Sequence, residues 1–330
     1  MILHCLAFAL SFLLALYLTP LFRRAALKFG IMDKPGGLKK HTEPVPYLGG
    51  LAVYLSFLLA TGVVHQYSRE VLGILLAGAI IVILGLIDDL GVLSPQVKLL
   101  GQFIAACVLV KASIFIKLTI LPVWIAIPLT VLWVMAITNA FNLIDVMDGL
   151  ASGVGAIAAL LLVVVNYRSG RELIVPLSFA LAGSLLGFLR YNFQPAKIYL
   201  GDAGSLFIGL MLAALSMNGA YTRVSLWGVV APVLILGVPV FDMFLIMYIR
   251  FCRGMPIMQG SPDHFALRLR KWRLSVRQTV VASYCAAATL GVVALLMTRI
   301  SASAAIATLS LTLFVCVSIA YALKKVDMSL

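Results

Sequence analysis

Eleven apolar stretches divide this sequence, at about residues 2–22, 47–64, 71–87, 98–116, 121–139, 149–166, 173–189, 204–221, 227–249, 278–298 and 302–323. Each is close to the roughly 20 residues that carry an α-helix across a bilayer core of about 30 Å. Backbone groups in lipid must be bonded within their own segment, so each stretch is expected to be helical. The expected fold is all-α, a polytopic membrane helix bundle of about 11 transmembrane helices. Of 330 residues, 63% are hydrophobic and 11% charged, whereas a soluble domain carries about 25% charged residues. A water-soluble fold is excluded. Residues 1–330 read as a single integral-membrane domain with loops at 23–46, 88–97, 140–148, 190–203 and 250–277.

The first stretch is followed by Arg23 and Arg24 and preceded by no basic residue, the reverse of a secretory signal, so it is expected to stay in the protein. Five cysteines lie apart with no C-x-x-C spacing, and neither a disulfide nor a zinc site is expected.

Loops of a polytopic chain alternate between two faces, and lysine and arginine favour the cytoplasmic one. The segments that follow odd-numbered stretches hold 18 of the 25 basic residues, among them Arg23, Lys39, Lys98, Arg190, Arg268 and Lys324. That asymmetry places the N-terminus outside and the C-terminus in the cytoplasm. The net charge of +13 is thereby read as a topology signal, and nucleic acid is not an expected partner.

The acids follow the same partition more sharply. Ten of the twelve, all but Glu70 and Glu172, fall at or near the expected cytoplasmic face, although acids contribute little to topology. Asp88 and Asp89 end the third stretch in LGLIDDLG, and Asp145 and Asp148 follow the fifth in NAFNLIDVMDGLASG. Acids at such depth carry a cost and are functional candidates. Asp145 and Asp148 share one face if the helix continues, with Asn139 and Asn142 on a neighbouring strip. Asp202 lies in KIYLGDAGS, where Gly201 and Gly204 permit close approach. The helix start at Ala203 to Ser205 suits an anionic phosphate, with Asp202 on a cation. Converging carboxylates repel without a cation, and oxygen ligands alone suit Mg²⁺ or Mn²⁺.

Plainer readings stand beside each of these. Asp88 can pair with Lys98, Asn139 and Asn142 can bond neighbouring helices, and the two glycines can serve close packing. Asp242 either binds substrate or pairs inside the bundle. Lys98 opens the fourth stretch, where it either reaches a phosphate or snorkels to the interface. Lys39, Lys40 and His41 cluster in the first loop, and His264 joins seven basic residues in the last large one. Those residues either set topology or hold a nucleotide or sugar phosphate.

DKPGGLKKH with PVPYLGG, then IDDLG, NAFNLIDVMDGLASG, LGDAGS and PVFDM occur in this order, each at an expected cytoplasmic edge. The ordered set resembles the polyprenyl-phosphate N-acetylhexosamine-1-phosphate transferases over about residues 31–270. That family includes the enzymes that begin O-antigen, enterobacterial common antigen and teichoic acid linkage units, and more distantly phospho-N-acetylmuramoyl-pentapeptide transferase. Eleven spans with an external N-terminus is similar to the N-acetylglucosamine branch.

The resemblance implies a bacterial inner-membrane enzyme working at the cytoplasmic face. It would transfer a sugar 1-phosphate, from UDP-N-acetylglucosamine by preference, to undecaprenyl phosphate, with release of UMP. It further implies Asp202 as the main Mg²⁺ ligand, Asp88 and Asp89 near the lipid phosphate, and Lys98 on a phosphate. Asn142, Asp145 and Asp148 would line the nucleotide and metal site, with Asn142 also toward the metal. Lys39, His41, Asn139, Gly201, His264 and Arg268 complete the candidate substrate contacts. The family's last-loop histidine motif has several histidines, whereas SPDHFALRLR retains His264. A homodimer is left open.

Two other activities fit parts of the pattern. DVMDGLA is similar to the D-x-x-D-G-x-x-A-R of CDP-alcohol phosphotransferases, but no arginine follows at the needed place. A transporter or flippase would carry its acids near the bilayer midplane in repeated broken helices, whereas here they crowd one face and no repeat is evident.

Overall fold

The computed structural model describes residues 2–33, 44–64, 68–118, 121–170, 174–222, 225–256 and 263–328. Helix occupies part of every one of the eleven apolar stretches. The chain falls into two compact units, Met1–Gly219 and Ala220–Leu330.

The first unit contains α1 (Ile2–Phe29), α2 (Gly49–Val64), α3 (Arg69–Asp89), α4 (Pro95–Lys111), α5 (Val123–Ile144), α6 (Leu150–Arg168), α7 (Val175–Asn192) and α8 (Gly201–Ser216). Two short strands, β1 (Met32–Asp33) and β2 (Val45–Pro46), pair antiparallel between α1 and α2. Helix α8 is the axis of the unit. It packs on α2, α3, α5 and α6, and every residue from Ala203 to Ser216 is buried, as expected of a helix that is apolar on all sides. Small residues make such contact close: a Cβ on Gly209 would lie 2.6 Å from Thr138 Cα of α5, the kind of crossing common between helices in lipid. Helix α1 packs on α7 and α2, and α4 on α3 and α5.

The second unit contains a 3-10 turn (Leu226–Val230), α9 (Ala231–Ile235), α10 (Gly237–Cys252), α11 (Phe265–Lys271), α12 (Val276–Met297) and α13 (Ala302–Lys324). Helix α12 packs on α9, α10 and α11, and α13 on α10 and α11.

Among the described residues, six helices are long and apolar enough to cross a membrane: α1, α3, α5, α6, α12 and α13. Together with the apolar composition, they make this a multi-pass membrane protein. The ninth stretch departs from the expected continuous helix, because Leu226–Ile235 and Gly237–Cys252 meet at 76° and count as a seventh span only as a bent pair. Pro239 explains the break, since it has no N–H to give the carbonyl of Ile235. Helices α2 and α8, at 16 residues each, are shorter than a full span.

Candidate active site

The site begins with how the chain holds the start of α8. The PVPYLGG segment lies against the residues before that helix: Tyr199 N–H donates to Pro46 O at 2.9 Å, Gly49 N–H to Tyr199 O at 3.1 Å, and Gly50 N–H to Leu200 O at 2.8 Å. A Cβ on Gly50 would lie 2.2 Å from Gly204 N, and one on Gly85 of α3 would lie 2.3 Å from Ala203 Cα. Glycine is therefore required on both neighbours of the helix start. Gly201 turns into α8 with φ +72°, and a Cβ there would meet Asp89 Oδ2 at 2.7 Å. Left-handed backbone and close approach both demand glycine.

Asp89 uses that space. Its Oδ1 accepts from Asp202 N at 2.7 Å and its Oδ2 from Ala203 N at 3.3 Å. A carboxylate on the first N–H groups of a helix also complements the helix dipole. This differs from the sequence expectation, in which Asp89 lay near the lipid phosphate and the N–H groups around Ala203 faced an anion. Asp89 holds α8 in place, and the Ala203 N–H is taken.

Asp88, one residue earlier, points to Lys98. The Lys98 ammonium sits 2.5 Å from Asp88 Oδ2, 2.8 Å from Asp202 Oδ2 and 3.1 Å from Asn142 Oδ1. Four helices thus meet at one charge: α3, α4, α5 and α8. Asn142 is oriented by its own donor, which reaches Asp202 Oδ1 at 2.8 Å and Ser205 Oγ at 3.0 Å. One turn later on α4 and one turn earlier on α5, Gln102 and Asn139 exchange side-chain hydrogen bonds at 3.3 and 2.6 Å, and Asn139 also donates to Met135 O at 2.8 Å. Gln102 is fully buried. Sequence reasoning missed it and assigned Asn139 to substrate, whereas the two amides form a clasp that sets α4 against α5. Its signal was a glutamine four residues after Lys98 inside an apolar stretch.

Asp148 Oδ2 accepts from Ala196 N at 2.9 Å, and Asn192 accepts from Gly149 N and Ser152 Oγ while donating to Ile198 O. These bonds tie the segment before α6 to the loop leading into α8. Asp145 caps the C-terminus of α5, and among the described residues its carboxyl has no hydrogen-bond or ion-pair partner. That carboxyl is held well above the usual carboxylate range, first by burial and then by the negative charges of Asp202, Asp89 and Asp148. Tyr199 is pushed up to about 12, by burial and then by Asp148, Asp33 and Asp145. The loop side of the site carries surplus negative charge.

That surplus bears on the expected metal. Among the described residues no three histidine, cysteine or acidic side chains form a metal-holding group, so the five carboxylates gather at this end of the unit without sharing one ligand sphere. Asp88 Oδ2, Asp202 Oδ2 and Asn142 Oδ1 do converge on the point that Lys98 fills. Two carboxylates and an amide oxygen fit Mg²⁺, which takes few protein ligands and completes its shell with water and substrate phosphates.

His264 and Arg268 lie in the second unit. His264 Nδ1 pairs with Asp242 Oδ2 at 2.8 Å, and Phe265 N–H donates to Asp242 Oδ1 at 2.7 Å. Asp242, fully buried, therefore has its partner inside the bundle. Arg268 is also fully buried. It pairs with Asp263 and donates to Leu323 O and Val326 O at 2.9 and 3.0 Å. The guanidinium expected to contact substrate thus anchors the end of α13. Lys39 and His41 lie outside the described residues.

An apolar multi-helix unit that gathers acids, a lysine and an asparagine at one helix end defines a membrane protein with a buried-edge ionic site. Residues 71–220 match the family model described as glycosyl transferase family 4. A Bacillus subtilis protein named "Probable undecaprenyl-phosphate N-acetylglucosaminyl 1-phosphate transferase" is 39% identical over 290 residues, 84% of this chain and 80% of the relative. A decaprenyl-phosphate N-acetylglucosaminephosphotransferase of Mycobacterium tuberculosis is 33% identical, covering 79% of this chain and 74% of its own. A phospho-N-acetylmuramoyl-pentapeptide-transferase of Halalkalibacterium halodurans is 32% identical, covering 81% and 89%. The chain belongs to glycosyl transferase family 4, the polyprenyl-phosphate N-acetylhexosamine-1-phosphate transferases.

Proposed function

We propose that this enzyme transfers N-acetylglucosamine 1-phosphate from UDP-N-acetylglucosamine to undecaprenyl phosphate and releases UMP, starting a cell-envelope polysaccharide. The observation that carries the reading is the convergence of Asp88, Asp202 and Asn142 on Lys98. The relatives named for N-acetylglucosamine transfer support the choice of sugar.

An oxygen of the lipid phosphate attacks the β-phosphorus of the donor. A new phosphorus–oxygen bond forms as the bond to the bridging oxygen breaks, and the electron pair leaves with UMP. Charge builds on the non-bridging oxygens, where positioning and electrostatic stabilisation supply most of the catalysis. Lys98 meets that charge with its ammonium. Asp202 and Asn142, joined by Asp88, would hold Mg²⁺ once the Lys98 ammonium leaves these oxygens for the phosphates, and the ion when bound would supply Lewis-acid neutralisation of the diphosphate. Asp89 and Gly201 keep the start of α8 fixed so that Asp202 faces Lys98. Asp145 and Asp148 border the nucleotide side. The acceptor is already an anion at neutral pH, so attack is direct and needs no covalent enzyme intermediate.

The enzyme is proposed to span the bacterial inner membrane eleven times as one catalytic domain. Its N-terminus is outside, and its C-terminus and active site are cytoplasmic, in line with the basic-residue asymmetry. The test is UMP release by the purified protein from UDP-N-acetylglucosamine, undecaprenyl phosphate and Mg²⁺, alongside other UDP-sugars. Release with UDP-N-acetylglucosamine above the others is expected; release from none of the panel contradicts the reading.

A further inference from the structure

Helices α3 and α4 flank an open groove of about 480 Å³ at the end remote from Asp88 and Lys98. Its volume falls within the roughly 300–1,000 Å³ of ligand-holding clefts. Its walls are Leu72 and Leu76 from α3 and Phe103 and Ile104 from α4, each of them about half exposed. A Cβ on Gly73 would lie 2.1 Å from Ala112 Cβ, so the two helices touch at the floor.

Arg69 and Lys111 stand at the mouth. Arg69 Nη2 donates to the main-chain Lys111 O at 2.5 Å, which sets the Arg69 guanidinium against the end of α4, where Lys111 is exposed. Among the described residues no ion pair neutralises either, and Glu70, the nearest acid in sequence, does not line the groove. An apolar trough ending in two exposed basic residues is complementary to a molecule with a greasy chain and an anionic head. Roughly 28 Å of helix separates Arg69 from Asp88, which places this end near the opposite membrane interface from the ionic cluster.

We propose that this groove binds an anionic phospholipid of the leaflet at that end. The headgroup phosphate is held by Arg69 and Lys111, and one acyl chain lies along Leu72, Leu76, Phe103 and Ile104. The proposal rests on the membrane location and not on the sugar transfer proposed above.

Native mass spectrometry of the full-length protein tests it, with equimolar phosphatidylglycerol and phosphatidylethanolamine. Retention of phosphatidylglycerol above phosphatidylethanolamine is expected, and the Arg69→Gln/Lys111→Gln variant should weaken it about 30-fold, each basic residue contributing about fivefold. Lys111→Gln alone, on a side chain with no partner among the described residues, keeps the test valid if the double variant folds poorly; about fivefold weakening is expected. Ile104→Trp fills the trough without changing charge and should also reduce retention. Equal retention of both lipids by the native protein would overturn the proposal, as would unchanged preference in Lys111→Gln. Loss with the charge variants but not with Ile104→Trp would overturn the groove in favour of plain surface attraction. Displacement of the lipid by millimolar inorganic phosphate would reassign the site to a free anion.

Discussion

Lys98 and Asp202, far apart in sequence and on separate helices, lie 2.8 Å apart, and Asp88 closes on the same ammonium at 2.5 Å. The pairing makes Lys98 the most exposed point of failure in the site. Lys98→Gln removes the charge while keeping a polar side chain, and should lower turnover by about 100- to 1,000-fold, the cost of losing one preorganised donor to a developing anion. Lys98→Arg should recover little, because a planar fork does not replace a compact ammonium on three oxygens. Steady-state UMP release gives both values, and turnover within tenfold of the native enzyme for Lys98→Gln would remove Lys98 from the chemistry.

Asp89 and Gly201 form a second testable pair. Gly201→Ala places a methyl group against Asp89 at a left-handed residue, and the backbone conformation alone should cost about 1–2 kcal/mol. Asp89→Asn puts an amide donor where two backbone donors converge, and losing a cap of this kind costs about 0.5–2 kcal/mol. Both variants should melt at lower temperature and lose turnover together. Full stability in both would show that Asp89 does not hold α8.

The Gln102–Asn139 clasp should act on turnover through alignment. Gln102→Leu leaves the Asn139 amide without its partner at a cost of about 1–3 kcal/mol, and lets α4 shift against α5 beneath Lys98. A fall in kcat with little change in KM is expected, with partial recovery in the exchanged Gln102→Asn/Asn139→Gln variant. A rise in KM alone would instead return Asn139 to the substrate.

Arg268 should matter for stability before it matters for substrate. Arg268→Met strands the carboxylate of Asp263, which is also buried, although Arg253 still reaches it at 3.1 Å. Breaking a buried pair costs about 3–5 kcal/mol, and the remaining contact moves the expectation to the lower end. Reduced thermal stability with an unchanged KM for the sugar donor is expected. Normal stability with a raised KM would restore Arg268 as a substrate contact.

The helices and the location of the ionic cluster were legible in the sequence for a physical reason. Lipid forces every spanning segment to be apolar and self-bonded, and it leaves charged motifs visible at segment ends. The break near Leu236 was not legible, because an internal proline is tolerated in many membrane helices. Individual roles were harder still. Asp88 and Asp89 are neighbours, yet successive helical residues point about 100° apart, so one meets Lys98 and the other the backbone of α8. Gln102 escaped notice because its meaning depends on Asn139 across a helix interface. Arg268 read as a loop cation, and only the packing of α11 against α13 shows where it goes.

The most direct test is Mg²⁺-dependent UMP release by Asp202→Asn compared with the native enzyme, each shown folded by its melting profile. Asparagine keeps the shape and removes the charge that faces Lys98 and would face the metal. Activity should vanish in the variant, and a chelator should abolish it in the native protein until Mg²⁺ is restored. A folded Asp202→Asn enzyme turning over at a near-native rate would contradict the site as described.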